Sequence, residues 1–206
     1  MYRGMGQVIQ RGESPLVTGT PAQTARLRPL RNPLYDTAKM VAAAPYTFIE
    51  FYTNRRAFAD GTAKTEADTN MTADGQLGSP LEFDMLGLTG KLLNGTSLVN
   101  IDAFYNAGVV KWFFHQNVPW LTLKVTEFPS GIAPVGFTTE ATSTIYAQGV
   151  QTLNNFWNMT DHLRQARHIL PQESFKGRVE FPVAYTPAAD DVYYVMVMLG
   201  LLYAAL

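Results

Sequence analysis

The chain has 206 residues, of which 47% are hydrophobic, 12% aromatic and 16% charged, and its formal net charge is -1. This length suits one domain, with or without an arm, and the charge excludes a uniformly basic nucleic-acid binder. The lack of cysteine excludes disulfides, thiolate nucleophiles and cysteine zinc sites. Because charged residues make up about 25% of a typical domain, the sparse charge predicts that another protein covers part of the surface.

The N-terminal segment differs from the rest in charge. Residues 1–33 hold five arginines against one glutamate, together with four prolines and no sustained period. We therefore predict an arm over residues 1–45, with a short helix at 36–44 that is stopped by Pro45, followed by one domain over 46–206. Arg26, Arg28 and Arg31 are the predicted assembly residues, because guanidinium groups bind carboxylates and phosphates well. A merely disordered tail is the alternative interpretation.

The sequence of the domain predicts mainly strands. Runs rich in β-branched and aromatic residues predict strands at 46–52, 81–88, 109–114, 120–125, 175–183 and 192–203. Short helices are predicted at 98–107 and 161–169. Two long polar stretches, 54–78 and 129–144, are predicted as exposed or intersubunit loops. Several strands with long connections and little helix favour an all-β sandwich, in particular a single jelly roll, over a parallel α/β fold.

The last apolar run is the strongest strand signal. Residues 192–203 are uncharged and rich in valine, tyrosine and methionine, which predicts a strand buried on both faces. The whole run, 192–206, has 15 residues and is shorter than the roughly 17 to 25 that span a bilayer as a helix. A membrane-bound accessory protein anchored by this run is therefore the weaker alternative.

Motifs that specify common enzyme chemistry are absent from the sequence. There is no phosphate-binding P-loop, nucleophile elbow, zinc-binding His-Glu-x-x-His motif or EF-hand loop. We expect no enzyme activity, catalytic residue, cofactor or metal. An alternative is a carbohydrate-binding or glycan-processing β-sandwich, with Glu82 and Asp84 as a carboxylate pair and Trp112 and Trp120 as a sugar platform. A solvated strand face and core tryptophans explain the same residues.

Four short segments suggest a family. They are Asp68-Thr69-Asn70-Met71, the run from Gly75 to Phe83, the run from Ile169 to Gly177, and Leu199-Gly200 in the last strand. Together they resemble the jelly-roll capsid proteins of tailless icosahedral bacteriophages. Two features depart from that family: the chain is too short for a double jelly roll, and the arginine-bearing leader matches no motif of it.

The resemblance implies a structural virion protein that self-assembles into an icosahedral capsid shell. Its partners would be copies of itself and other virion proteins, with an internal membrane or genome phosphates contacted through the arm. No small-molecule substrate is expected. The protein would be assembled in the host cytoplasm and located in the virion.

Overall fold

The computed structural model describes residues 27–30, 33–93, 98–115, 118–126, 157–158, 167–188 and 190–205. Within these residues the chain forms ten strands and one helix. In chain order they are β1 (Leu27–Leu30), β2 (Leu34–Met40), β3 (Tyr46–Phe51), β4 (Glu82–Leu92), α1 (Leu98–Ala107), β5 (Val109–Phe114), β6 (Leu121–Lys124), β7 (Trp157–Asn158), β8 (Arg167–Ile169), β9 (Phe175–Tyr185) and β10 (Val192–Ala205).

The strands form two antiparallel sheets. In sheet A, β10 lies at the centre, with β1 and β2 along one side and β4 along the other, and β7 and β8 pair with the far side of β4. Sheet B has the order β3-β9-β5-β6. The predicted all-β sandwich is therefore confirmed.

The strand pairs are nested along the chain. The innermost pair is β5 with β6, and the next is β4 with β7 and β8. Outside these come β3 with β9, and finally β2 with β10. The sandwich thus has the connectivity of one long antiparallel ribbon that is folded over on itself. Successive strand pairs of this ribbon lie alternately in sheet B and sheet A.

Aromatic rings and methionines fill the space between the sheets. Trp112, Tyr52, Tyr194, Phe104 and Met196 are all fully buried. The Phe104 ring, carried by α1, lies with its centroid 5.0 Å from that of Tyr194. Each such side chain stabilises the fold by roughly 1.5 to 3 kcal/mol through burial alone. Since these rings occupy the interior, the outer faces of the sheets and the loops are the surfaces open to partners.

The predicted helix at 36–44 is wrong, because residues 34–40 form β2 and pair with β10. Leu34, Asp36, Ala38 and Met40 are all buried, which is the alternation of a strand with one face on the core. Sheet A thus includes β1 and β2 from the segment assigned to the arm. The predicted helix at 98–107 is confirmed as α1.

Only three residues of the second predicted helix, 161–169, belong to the part of the chain that the structure describes. Residues 161–166 lie outside the described residues, whereas 167–169 form β8 and pair with β4. The last apolar run forms the strand β10, as predicted, and this strand lies at the centre of sheet A. The predicted burial on both faces holds only in part: Val192, Tyr194 and Met196 are buried on one face, whereas most residues of the other face are half-buried. Among the described residues no helix has the length and hydropathy needed to cross a bilayer.

The long connection between β3 and β4 is tied to β2 by specific contacts. The Lys64 ammonium lies 2.7 Å from Asp36 Oδ1, and both side chains are almost completely buried. The Asp36 carboxylate also accepts a hydrogen bond of 2.6 Å from the backbone N–H of Tyr52. Further along, Asn70 Oδ1 accepts a bond of 2.9 Å from the N–H of Tyr35. The connection is therefore part of the packed structure.

Candidate functional surfaces

The predicted assembly arginines are only partly located. Arg28 lies on β1, where it is opposite Ala204 of β10. Arg26 and Arg31 lie outside the described residues, as does the predicted loop at 129–144. The backbone of Arg28 therefore belongs to sheet A, and its role in assembly stays a prediction.

The proposed sugar platform is not assembled. Trp112 is completely buried and contacts the Tyr52 ring in the core, so its assignment as a sugar-stacking residue is wrong. Trp120 is partly exposed, lies immediately before β6 of sheet B, and packs edge-on against Phe114. Glu82 and Asp84 lie on β4 of sheet A. The glycan-binding alternative consequently loses one of its two aromatic residues.

Two of the segments that suggested the family lie side by side in space. Gln76 forms an antiparallel bridge with Ser174. The N–H of Phe175 donates to the carbonyl of Gly75 at 2.8 Å, and the N–H of Gln172 donates to that of Leu77 at 3.1 Å. The segments 75–83 and 169–177 therefore meet beside the first residues of β9.

The outer side of sheet B carries a network of charged side chains, which we call the sheet B face. Arg178 of β9 is paired with Glu50 of β3 and, at 3.3 Å, with Glu180. Glu180 is also paired with Lys111 of β5, and Lys176 lies 3.3 Å from Glu50. All five side chains are about one quarter exposed. Partial burial acts to raise the pKa of Glu50, but the bond from Arg178 and the charge of Lys176 outweigh it and lower that pKa.

Two phenylalanine rings hold the central arginine of this face. The Arg178 guanidinium carbon lies 4.7 Å from the centroid of the Phe48 ring and 5.6 Å from that of Phe113. Both distances are within the range of a cation–π interaction. Phe113 is buried, whereas Phe48 is 48% exposed. The face therefore presents an ordered arginine beside a large exposed ring.

A carboxylate–histidine cluster occupies the outer side of sheet A, where β8 pairs with β4. His168 Nδ1 lies 2.6 Å from Asp84 Oδ1, and His168 Nε2 lies 3.2 Å from Glu82 Oε2. The Tyr203 hydroxyl of β10 donates to Asp84 Oδ2 at 2.7 Å. The cluster thus links the side chains of three strands.

Only the cationic form of His168 can donate hydrogen bonds from both ring nitrogens at once, since a neutral imidazole carries one N–H. Both nitrogens face carboxylate oxygens, and Glu82 Oε2 is buried with no other hydrogen-bond partner among the described residues. The hydrogen bond with Asp84, and the charges of Asp84, Glu82 and Glu173, raise the pKa of His168 despite partial burial. The cluster therefore binds a proton more tightly when the protein is folded.

The stability of this edge of sheet A should depend on pH. Because the folded-state pKa of His168 lies above its ordinary value of 6.5, the stabilisation is complete below about pH 6.5 and is lost as the pH rises through the folded-state value. His168→Gln should cost about 1.5 to 3 kcal/mol at pH 6, the range for hydrogen bonds to charged groups. Denaturant unfolding at a series of pH values checks this, and equal pH slopes for wild type and variant would contradict it.

A second buried carboxylate adjoins this cluster. Glu173 accepts hydrogen bonds from the backbone N–H of Leu170, at 2.9 Å, and from Arg167 of β8. Its Oε1 atom also lies 2.9 Å from His115 Nε2, at the end of β5. Glu173 thereby connects the end of sheet B to the edge of sheet A. In the described part of the chain, no group of three or more histidine, cysteine, aspartate or glutamate side chains is arranged to hold a metal ion.

The sequence drew attention to individual residues of this cluster but did not predict that they lie together. Glu82 and Asp84 stood out as neighbours on one strand face, and His168 as one of only three histidines. Their partnership depends on β4 and β8 pairing across 84 positions of sequence, which no local pattern reports. Comparison with known proteins adds no further guide: no protein-family model, curated protein or solved structure matches this chain.

Proposed function

We propose that this protein is a structural virion protein that self-assembles into an icosahedral capsid shell, and that its sandwich is a single jelly roll. The observation that carries the proposal is the nested strand pairing. Counting from β2, and taking β7 and β8 together as one interrupted strand, the two sheets have the orders 1-8-3-6 and 2-7-4-5. This is the strand order of an eight-stranded jelly roll, the architecture of many viral capsid domains.

The distribution of side chains supports a shell protein over the other users of this architecture. Lectins and cupins also adopt jelly rolls, but here aromatic rings fill the interior. The outer sides of both sheets instead carry ordered polar clusters, and charge is sparse over the whole chain. Ordered side chains on a poorly charged surface suit a protein whose faces are covered by copies of itself.

Self-assembly is tested by light scattering of the purified protein across concentration and salt, followed by negative-stain imaging of any large species. Closed oligomers or shell-like particles would support the proposal. A protein that stays monomeric at all concentrations would overturn the proposal and would favour the glycan-binding sandwich instead. Arrays of immobilised glycans, with Trp120→Ala as the comparison, then test that alternative.

The N-terminal arm gives a second test. Deleting residues 1–26 removes the part of the predicted arm that precedes β1 and keeps β1 itself, so the variant should remain folded and lose most of its assembly. The full-length triple variant Arg26→Gln, Arg28→Gln and Arg31→Gln should show the same defect if the charges are responsible. Thermal unfolding controls for the fold, and particle yield measured by sedimentation reports assembly. If the deletion variant gives the same particle yield as the wild-type protein, the deleted residues are not needed for assembly.

A further inference from the structure

β8 is a short strand on the outer side of β4, and its attachment to the sheet is limited. It pairs with β4 only at Phe83, Asp84 and Met85, and the described part of the chain supplies no strand on its other side. On the opposite side of β4, β10 pairs with it at ten positions. A segment with few ladder bonds can open locally while the rest of a sheet stays paired. The side chains of β8 therefore determine how firmly it is held.

The three side chains of β8 contribute to this attachment in different ways. Arg167 is paired with Glu173, which lies in the turn that follows β8, so this ion pair does not tie β8 to β4. Ile169 is fully buried and supplies an apolar contact that carries no charge. His168 faces two carboxylates of β4. Among the described residues, the contacts of His168 are thus the ionic link between β8 and β4.

This link changes when the His168 ring loses a proton. The cationic ring carries an N–H on each nitrogen, whereas the neutral ring carries only one. The contact of 2.6 Å between Nδ1 and Asp84 is the shorter and retains that N–H. The lone pair on Nε2 then faces Glu82 Oε2 at 3.2 Å, and this oxygen is buried with no hydrogen-bond partner among the described residues. An uncompensated buried carboxylate is unfavourable, so the neutral ring weakens the attachment of β8.

The charged and titratable groups around His168 determine the direction of the pH effect. They are Glu82 and Asp84 of β4, Tyr203 of β10, Arg167 of β8, Glu173 of the following turn, and His115 at the end of β5, which contacts Glu173. The three carboxylates favour the cation and raise the pKa of His168 above its ordinary value of 6.5. The attachment is therefore strongest below about pH 6.5 and weakens as the pH rises through the folded-state value.

We propose that β8 is a proton-controlled latch on the edge of β4. It is held while the His168 ring is cationic, and it opens more often once the ring is neutral, while the rest of the sandwich stays folded. Because Ile169 must leave the core on opening, the open form is a minor state whose population the pH controls. Opening uncovers the edge of β4, and an unpaired strand edge can pair with another chain. The latch is a property of the single chain and is independent of the proposed shell function.

Hydrogen exchange of the full-length protein, followed by mass spectrometry of its proteolytic fragments, tests the latch. Protection of the fragment that contains β8, corrected for the intrinsic pH dependence of exchange, should fall at least about tenfold between pH 6 and pH 9. This is the lower end of the effect of a hydrogen bond to a charged group. Exchange of β8 should also be nearly independent of low urea concentrations, because local opening exposes little surface. Exchange of β10 opposite β2 should depend steeply on urea.

Three variants assign the effect to the ring. His168→Gln cannot become cationic, so its β8 protection should be low at both pH values. Glu82→Gln provides an amide that can donate to the neutral ring, so its β8 protection should stay high at pH 9. His115→Gln is the matched control, since it removes another histidine and should keep the wild-type pH dependence. The latch is overturned if β8 and β10 show the same urea dependence, or if His168→Gln keeps the wild-type fall in protection.

Discussion

Gly200→Ala should destabilise the protein by about 3 kcal/mol or more, at or beyond the upper end of the usual cost of overpacking a core. A Cβ atom at Gly200 would lie 2.0 Å from the backbone oxygen of Asp84 and 2.7 Å from the Phe83 ring. The oxygen cannot rotate away as a flexible side chain would, so the strands must separate. Against a total of about 5 to 15 kcal/mol for a typical protein, this change could remove much of the stability.

The close approach at Gly200 arises from a bulge in β4. Asp84 pairs with Leu201 and Gly87 with Leu199, so β4 has one residue more than β10 between these pairs. Bulges bend a strand and disrupt the regular spacing of its ladder. A residue without a side chain on β10 accommodates the bend. Alanine at this position should therefore disturb the central pair of sheet A.

The matched control for Gly200→Ala is Gly78→Ala. A Cβ atom there would meet only the Thr72 hydroxyl at 3.5 Å, an ordinary van der Waals contact. Chemical denaturation of both variants measures the difference. The explanation fails if the two variants unfold at the same denaturant concentration, or if Gly200→Ala matches the wild-type protein.

Lys64→Met should cost about 3 to 5 kcal/mol, the range expected when one partner of a buried ion pair is removed. The Asp36 carboxylate would remain buried beside β3 without the cation that compensates it. Methionine keeps most of the length and apolar volume of lysine, so the loss reports the charge rather than a cavity. Lys124→Met, at an exposed position of β6, is the control and should leave stability within about 0.5 kcal/mol.

The stability lost in Lys64→Met should depend on pH in a defined direction. Burial raises the pKa of Asp36 above its ordinary value of 3.8, and the Lys64 charge opposes this effect. Without Lys64 the pKa should rise further, so the folded state binds a proton more readily than the unfolded state. The stability deficit should then be largest at neutral pH and shrink on acidification.

Asp36→Asn in the Lys64→Met background offers an independent check of the same mechanism. It removes the unpaired charge while keeping an oxygen for the Tyr52 N–H, so it should recover part of the lost stability at neutral pH. Urea unfolding at pH 5 and pH 8 distinguishes the variants. A deficit that is independent of pH and is not reduced by Asp36→Asn would mean that Lys64 acts through packing alone.

The sequence predicted the strands whose side chains follow simple patterns. β4 begins with alternating polar and apolar residues, β5 is a short run that is apolar except for Lys111, β6 alternates leucine with polar residues, and β10 carries no charged residue. Alternation arises when one face of a strand packs on the core, and a continuous apolar run arises when both faces are covered. They were sufficient for the fold class and for most strands within the described residues.

The failure at β2 has a specific physical cause. Asp36 occupies a core position of the strand, so the alternation that would mark 34–40 as a strand is interrupted by a charge. That charge is tolerated because Lys64 lies against it. Nothing in the local sequence shows that a lysine 28 positions away will neutralise it. Propensity therefore favoured a helix where tertiary contacts impose a strand.

The functional surfaces were predicted less well, for a related reason. The sheet B face combines residues from β3, β5 and β9, which come together only when the strands are aligned. The histidine cluster combines β4, β8 and β10, and β8 is too short for a periodic signal. Sequence patterns describe single elements, whereas both surfaces are defined by register between elements that are distant along the chain.

The position of β10 at the centre of sheet A also governs when the protein can fold. Leu34 of β2 pairs with Met198 and Met40 with Val192, so β2 must wait for about 150 to 165 further residues to be synthesised. At about 5 to 20 residues per second, that delay is roughly 8 to 30 seconds on the ribosome. Until then β2 and β4 lack the strand that separates them. A nascent chain therefore cannot complete sheet A before β10 has emerged from the ribosome.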